Sequence, residues 1–191
     1  MIEYINGDLT KHNFKSDCSD EAIIIPHVLN NEGVNKSGVI VPIFKKWPRC
    51  KTMCEDWYDA GFIRDDWGFR VNFQLGEVLF VNNYDEENNE RVIVANMIGQ
   101  KFARLISGKN FLPAYKEAVE EGIWRVKEFI EYQDSEYGLL CKIVAPKFGS
   151  LRAGLSWEND IEPMIAEAWK NFDVTIYVFD ENAIKNPAGK Y

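Results

Sequence analysis

Ala22-Ile23-Ile24-Ile25-Pro26-His27-Val28-Leu29-Asn30-Asn31-Glu32-Gly33-Val34-Asn35-Lys36-Ser37-Gly38-Val39 runs from an apolar strand into a polar loop with two glycines, and then into a helix. The unbroken Ile23-Ile24-Ile25 shows no polar alternation, as expected of a strand whose sheet is covered by helices on both faces. Amides at the start of a helix that follows such a loop have no intrahelical acceptor and attract anions. Asn30 and Asn31 add side-chain amides able to bond sugar hydroxyls. His27 lies on the strand and reads either as a satisfied core histidine or as a proton acceptor, since its ordinary pKa near 6.5 suits base chemistry.

Working outward, the same apolar texture recurs. Strands are predicted at residues 2–6, 22–29, 77–82, 91–97, 140–146 and 174–179, with Val92-Ile93-Val94 and Ile143-Val144-Ala145 as further continuous runs. Helical spacing is predicted at 39–47, with Pro42 in the first turn, and at 51–60. It is clearest at 112–131, where Tyr115, Ala118, Val119, Gly122, Ile123, Val126, Phe129 and Ile130 share one face. A last helix is predicted at 160–170, capped by Asn159 or Asp160, with Pro163 in its first turn. Strands alternating with helices give an α/β class with a mixed, mostly parallel sheet of about six strands. Residues 64–74 and the acidic stretch 85–90 read as inserted surface loops. The expected organisation is one domain over 1–181 and a tail over 182–191.

Composition narrows the partners. The 191 residues carry a net charge of −8 with no cluster of Lys and Arg, which argues against a broad nucleic-acid surface. Lys45, Lys46, Arg49 and Lys51 read as the wet face of a helix. A single phosphorylated small molecule remains compatible, because a few aimed amides are enough to hold it. No run approaches the roughly 20 apolar residues of a membrane-spanning helix, and Met1-Ile2-Glu3-Tyr4-Ile5 reads as a strand, not a basic leader. A cytoplasmic location is expected. Cys18, Cys50, Cys54 and Cys141 have neither a disulfide pattern nor metal-ligand spacing with His12 and His27, so free thiols and no metal or cofactor are expected.

Four segments sit where a predicted strand ends, the place where open α/β sheets bind ligands. They are Asn6-Gly7-Asp8-Leu9-Thr10, the loop already quoted, Asn96-Met97-Ile98-Gly99-Gln100, and Pro146-Lys147-Phe148-Gly149-Ser150-Leu151-Arg152-Ala153-Gly154-Leu155-Ser156-Trp157. Together, in order and spacing, they resemble the macro-domain family along nearly the whole chain. Gly7-Asp8-Leu9-Thr10 resembles that family's Gly-Asp-Ile-Thr. Residues 27–38 resemble its first substrate loop, and 146–157 its second, phosphate-enclosing loop. Leu75-Gly76-Glu77-Val78 and Asn96-Met97-Ile98-Gly99-Gln100 resemble the branch that dephosphorylates ADP-ribose 1″-phosphate and removes terminal ADP-ribose.

The resemblance implies a three-layer α/β/α fold and ADP-ribose, or its 1″-phosphate, as ligand, with ADP-ribosylated protein as a further partner. It implies that Asp8 and the Leu9 amide recognise adenine, that Asn30 bonds the distal ribose with Asn31 beside it, and that Lys36, Ser37, Gly38 and Val39 face the phosphates. Gly149, Ser150, Leu151, Arg152 and Ala153 would close from the other side. Phe179 falls where the family places an adenine-stacking aromatic, with a core aromatic as the other reading. Two departures bear on chemistry. Lys36 and Leu151 stand where small residues or glycine are customary. Gln100 and Ala153 stand where a carboxylate-directed hydrolase of the family has Lys and Asp, and neither residue can act as nucleophile or resolve an adduct. The remaining expectation is hydrolysis of ADP-ribose 1″-phosphate with His27 and Asn30 as candidate catalytic residues, or a module that binds without chemistry.

Overall fold

The computed structural model describes residues 2–15, 18, 20–33, 38–101, 115–149 and 154–179. The strands are β1 Ile2–Asn6, β2 Glu21–Asn30, β3 Phe62–Arg64, β4 Arg70–Asn72, β5 Val78–Asp85, β6 Glu90–Gln100, β7 Leu140–Pro146 and β8 Val174–Val178. The helices are α1 Ile40–Lys46, α2 Pro48–Ala60, α3 Lys116–Tyr137 and α4 Glu162–Ala168. A 3-10 turn spans Leu9–Lys11 and a π-helical turn Trp157–Ile161.

Six strands form one sheet in the order β1-β8-β7-β2-β6-β5. Every neighbouring pair is parallel except β5 with β6. The continuous apolar runs explain why both faces are covered. Alternate residues of each strand point to opposite sides, and here both sides are buried. Ile24, Ile93, Ala95, Met97, Ile143 and Ile176 pack under α3 and α4. Ile25, Leu29, Leu79, Val94, Ile98 and Val144 pack under α1, α2 and the 3-10 turn. The result is the expected three-layer α/β/α arrangement. Each fully buried Ile or Val in these layers contributes roughly 1.5–3 kcal/mol.

The structure corrects several boundaries. α3 begins at Lys116, and Tyr115 is exposed at its N-cap instead of lying on the buried face. The same helix runs on to Tyr137, because Gln133 continues the buried stripe with a polar residue that the apolar count misses. α2 begins at Pro48, a proline that fits a first turn where no amide hydrogen is needed.

Residues 64–74 are not a plain loop. β3 and β4 pair antiparallel around a turn in which Asp65 Oδ1 accepts from the amides of Trp67 and Phe69. The hairpin wraps the outer edge of the sheet: Trp67 packs edge-on against Phe129, and Phe129 stacks on Phe80 of β5. Asp66 accepts from the Asn82 amide on the outer side of β5, which blunts an edge that would otherwise invite another strand. The basic run is likewise no uniform wet face. Lys46 donates to the Thr10 carbonyl and lies over the Phe14 ring, while Arg49 pairs with Asp66 and donates to the Asn82 carbonyl. The tail 182–191 lies outside the described residues.

Candidate functional site

Parallel pairing brings the carboxyl ends of β1, β8, β7, β2 and β6 to one edge of the sheet. All four segments singled out in the sequence therefore open on the same side. Hydrogen bonds anchor their roots: Gly7 donates to the Val178 carbonyl of β8 at 3.0 Å, Lys147 to that of Tyr177 on the same strand at 3.1 Å, and Asn31 to that of Gln100 at 2.9 Å.

At one end of this edge, Asp8 caps the 3-10 turn. Its Oδ1 accepts from the Thr10 amide at 2.9 Å and from the Thr10 hydroxyl at 2.7 Å. Leu9 is buried beneath. Phe179, immediately after β8, is 54 % exposed, so the core alternative does not hold for it. Tyr177 and His12, which the sequence did not mark for this position, lie beside the Asp8 turn. His12 Nδ1 and the Tyr177 hydroxyl are 2.9 Å apart. Tyr177 sits on an alternating strand as an ordinary half-buried aromatic, so no local signal distinguishes it.

In the middle of the edge, Asn30 pairs in register with Gln100 across a shift that follows Leu29. Asn30 Oδ1 accepts from the Glu32 amide at 2.9 Å, which turns the chain out of the strand. The loop re-enters at Gly38, whose φ of 80° lies in the left-handed region, and Val39 precedes α1. Lys36 and Ser37 lie outside the described residues.

Between it and the Asp8 end, the segment after β7 turns at Gly149, also left-handed at φ 67°. The Leu155 amide donates to the Gly149 carbonyl at 3.3 Å and closes the neck of the loop. Ser150, Leu151, Arg152 and Ala153, within that neck, lie outside the described residues. The far side is anchored firmly: Ser156 Oγ accepts from the Asn159 amide, Asp160 accepts from the Ser156 amide, and Lys116 at the start of α3 pairs with Asp160. These caps explain why the helical segment begins earlier than the expected 160.

His27 is enclosed. It is 0 % exposed, sits edge-on to Phe44 of α1 and shares its buried neighbourhood with Asn96, its register partner on β6. Asn96 gives both amide hydrogens to the carbonyls of Leu79 and Val94, so its Oδ1 must face His27 as acceptor. The 2.8 Å bond therefore puts the imidazole hydrogen on Nε2. Burial disfavours the charged ring and, against the favourable Asn96 bond, lowers its pKa to about 4. The arrangement is that of a neutral strand-bridging histidine.

No group of three or more His, Cys, Asp or Glu side chains able to hold a metal occurs among the described residues. None of the four cysteines forms a disulfide. No helix of the described residues is long and apolar enough to cross a membrane.

No family model and no curated protein matches the sequence. Solved structures do. A protein of unknown function from Bacteroides thetaiotaomicron shares 27 % identity at a TM-score of 0.69, covering 94 % of this chain and 98 % of its own. A macrodomain protein from Streptomyces coelicolor shares 25 % identity at a TM-score of 0.66 over 93 % of this chain and 98 % of its own. Thermosipho africanus DarTG, solved in complex with ADP-ribose, shares the fold at a TM-score of 0.61 and 14 % identity; the match covers 94 % of this chain and 42 % of that one.

Proposed function

As this chain belongs to the macrodomain family, we propose that it binds ADP-ribose or a close derivative along the carboxyl edge of its sheet. One observation carries the reading. β2 and β7 are hydrogen-bonded parallel neighbours, and the loops that follow them pivot on left-handed glycines, Gly38 and Gly149, on the same edge. Two such turns offer amide hydrogens from opposite sides to a diphosphate between them.

In this reading adenine lies at the β1–β8 end, with Phe179 stacking on it. The Leu9 amide and Asp8, through Oδ2, take its polar edge, since Oδ1 is engaged with Thr10. Val39, Gly38, Ser37 and Lys36 face the phosphates from one side, and Gly149, Ser150, Leu151, Arg152 and Ala153 from the other. Asn30 and Asn31 hold the distal ribose, with Gln100 beside them. Arg152 and Lys36 supply positive charge that the acidic chain otherwise withholds from polyanions.

Binding without chemistry is the stronger reading, because the full burial of His27 and its bond to Asn96 support a structural role for it. Hydrolysis of ADP-ribose 1″-phosphate is the second reading, and the place of Asn30 at the root of the first loop supports it. There Asn30 would orient a water while loop amides spread the charge that develops on phosphorus. An ADP-ribosylated protein is the partner expected of a pure binding module.

Calorimetry with ADP-ribose tests the placement. Asn30→Ala is expected to weaken binding by about 1–3 kcal/mol, the cost of stranding a polar partner. Unchanged affinity would remove Asn30 from the ribose. Phosphate release from ADP-ribose 1″-phosphate separates the two readings: none is expected of a binding module.

A further inference from the structure

The sheet carries a cavity of about 230 Å³ at the opposite end from the proposed nucleotide edge, where β6 begins and α3 ends. It lies between the sheet and the last turns of α3, beside the β3–β4 hairpin. Trp67, Tyr137, Ile93 and Leu139 form its walls, and Arg91, Gln133 and Asn82 its polar lining. A cavity of roughly 150 Å³ already accepts a benzene ring, so this one has room for a ring with substituents.

Two buried polar atoms in its lining have no hydrogen-bond partner among the described residues: Gln133 Nε2 and Asn82 Oδ1. Gln133 is 2 % exposed and occupies a position on the buried stripe of α3 where an apolar side chain would complete the core. An unmatched buried amide costs free energy that leucine would not. Asn82 is held in place from both sides of its backbone, its amide by Asp66 and its carbonyl by Arg49. Trp67 is fixed against Phe129. Arg91 brings a guanidinium that lies over the Tyr84 ring. The lining is thus preorganised, with two donors, one of them charged, one acceptor, and aromatic walls.

We propose that this cavity is a second ligand site, for a small aromatic carboxylate that also carries a hydrogen-bond donor. The carboxylate meets Arg91 and Gln133 Nε2, the ring lies between Trp67 and Tyr137, and the donor reaches Asn82 Oδ1. The site shares no residue with the proposed nucleotide edge, so the two proposals stand or fall separately.

Titration calorimetry of the full chain with 4-hydroxybenzoate tests it, with benzoate lacking the donor and 4-hydroxybenzamide lacking the charge. The expected order is 4-hydroxybenzoate tightest and 4-hydroxybenzamide weakest. Arg91→Gln and Gln133→Leu are each expected to weaken 4-hydroxybenzoate about tenfold or more while unfolding as cooperatively as the parent. Arg91 is half-buried on the surface, so its variant stays informative if the core variant fails to fold. No heat with any probe at millimolar concentration, or binding that survives Arg91→Gln, overturns the proposal and leaves a cavity holding solvent alone.

Discussion

Replacing His27 by glutamine tests the electrostatics of the core. In the fold the ring is neutral and fully buried, with a pKa lowered to about 4; in the unfolded chain it returns to about 6.5. Above the unfolded value both states carry a neutral ring, and this group adds no pH dependence. As the pH falls below it, the unfolded chain takes up a proton that the fold refuses, so stability drops until the pH passes below the folded value. Between about pH 7.5 and pH 5 those two values give a loss of about 2 kcal/mol, approaching about 3 kcal/mol at lower pH. Glutamine keeps a donor near the Asn96 oxygen and cannot titrate. Urea unfolding of parent and His27→Gln across this range should show the parent losing about 2 kcal/mol more than the variant. Parallel curves would refute the reasoning, since they would mean that the ring is hydrated or already charged in the fold.

Three further outcomes are expected. Gly149→Ala places a Cβ at a φ of 67° and 2.8 Å from Ile161 Cδ1; with about 2 kcal/mol lost, thermal unfolding should fall by about 4–8 °C, and an unchanged midpoint would deny the left-handed turn. Asp66→Ala removes the partner of Arg49 and of the Asn82 amide on the edge strand, so urea unfolding should show about 0.5–1.5 kcal/mol less stability; no loss would mean that water replaces the carboxylate. Burial pushes the Cys50 thiol up to about 11 and that of Cys141 up to about 12, and raises Cys54 as well, whereas Cys18 is exposed. A disulfide reagent at neutral pH should therefore find one fast thiol, lost in Cys18→Ser, and a second fast thiol would contradict the burial of the others.

The central strands of the main sheet were legible because a sheet covered on both faces writes itself as short runs such as Ile23-Ile24-Ile25, too brief for a helix and bounded by turn residues. The β3–β4 hairpin was not, because three residues are too few to establish an alternation, and its stability comes from Trp67 meeting Phe129, far along the chain. Gln133 ended the helix reading early for a similar reason: a polar letter on an apolar stripe is visible only once its surroundings are known. The convergence of four segments on one edge followed from parallel pairing, which the alternation of strands and helices already implied. The environment of His27 did not follow. A histidine within a strand reads the same whether it faces solvent or Asn96, and only the register of β2 against β6 decides between them.

The first strand of the sheet lies beside the last, with Ile2 to Asn6 paired against Val174 to Val178. That closure joins segments separated by nearly the entire length of the polypeptide, a contact made only after a large loop has been ordered. During synthesis, β1 must therefore wait for β8, its neighbour in the sheet, until residues 174–178 have left the ribosome. The turn at Asp8 gains its neighbour only at that moment, which makes the completed edge a late product of folding.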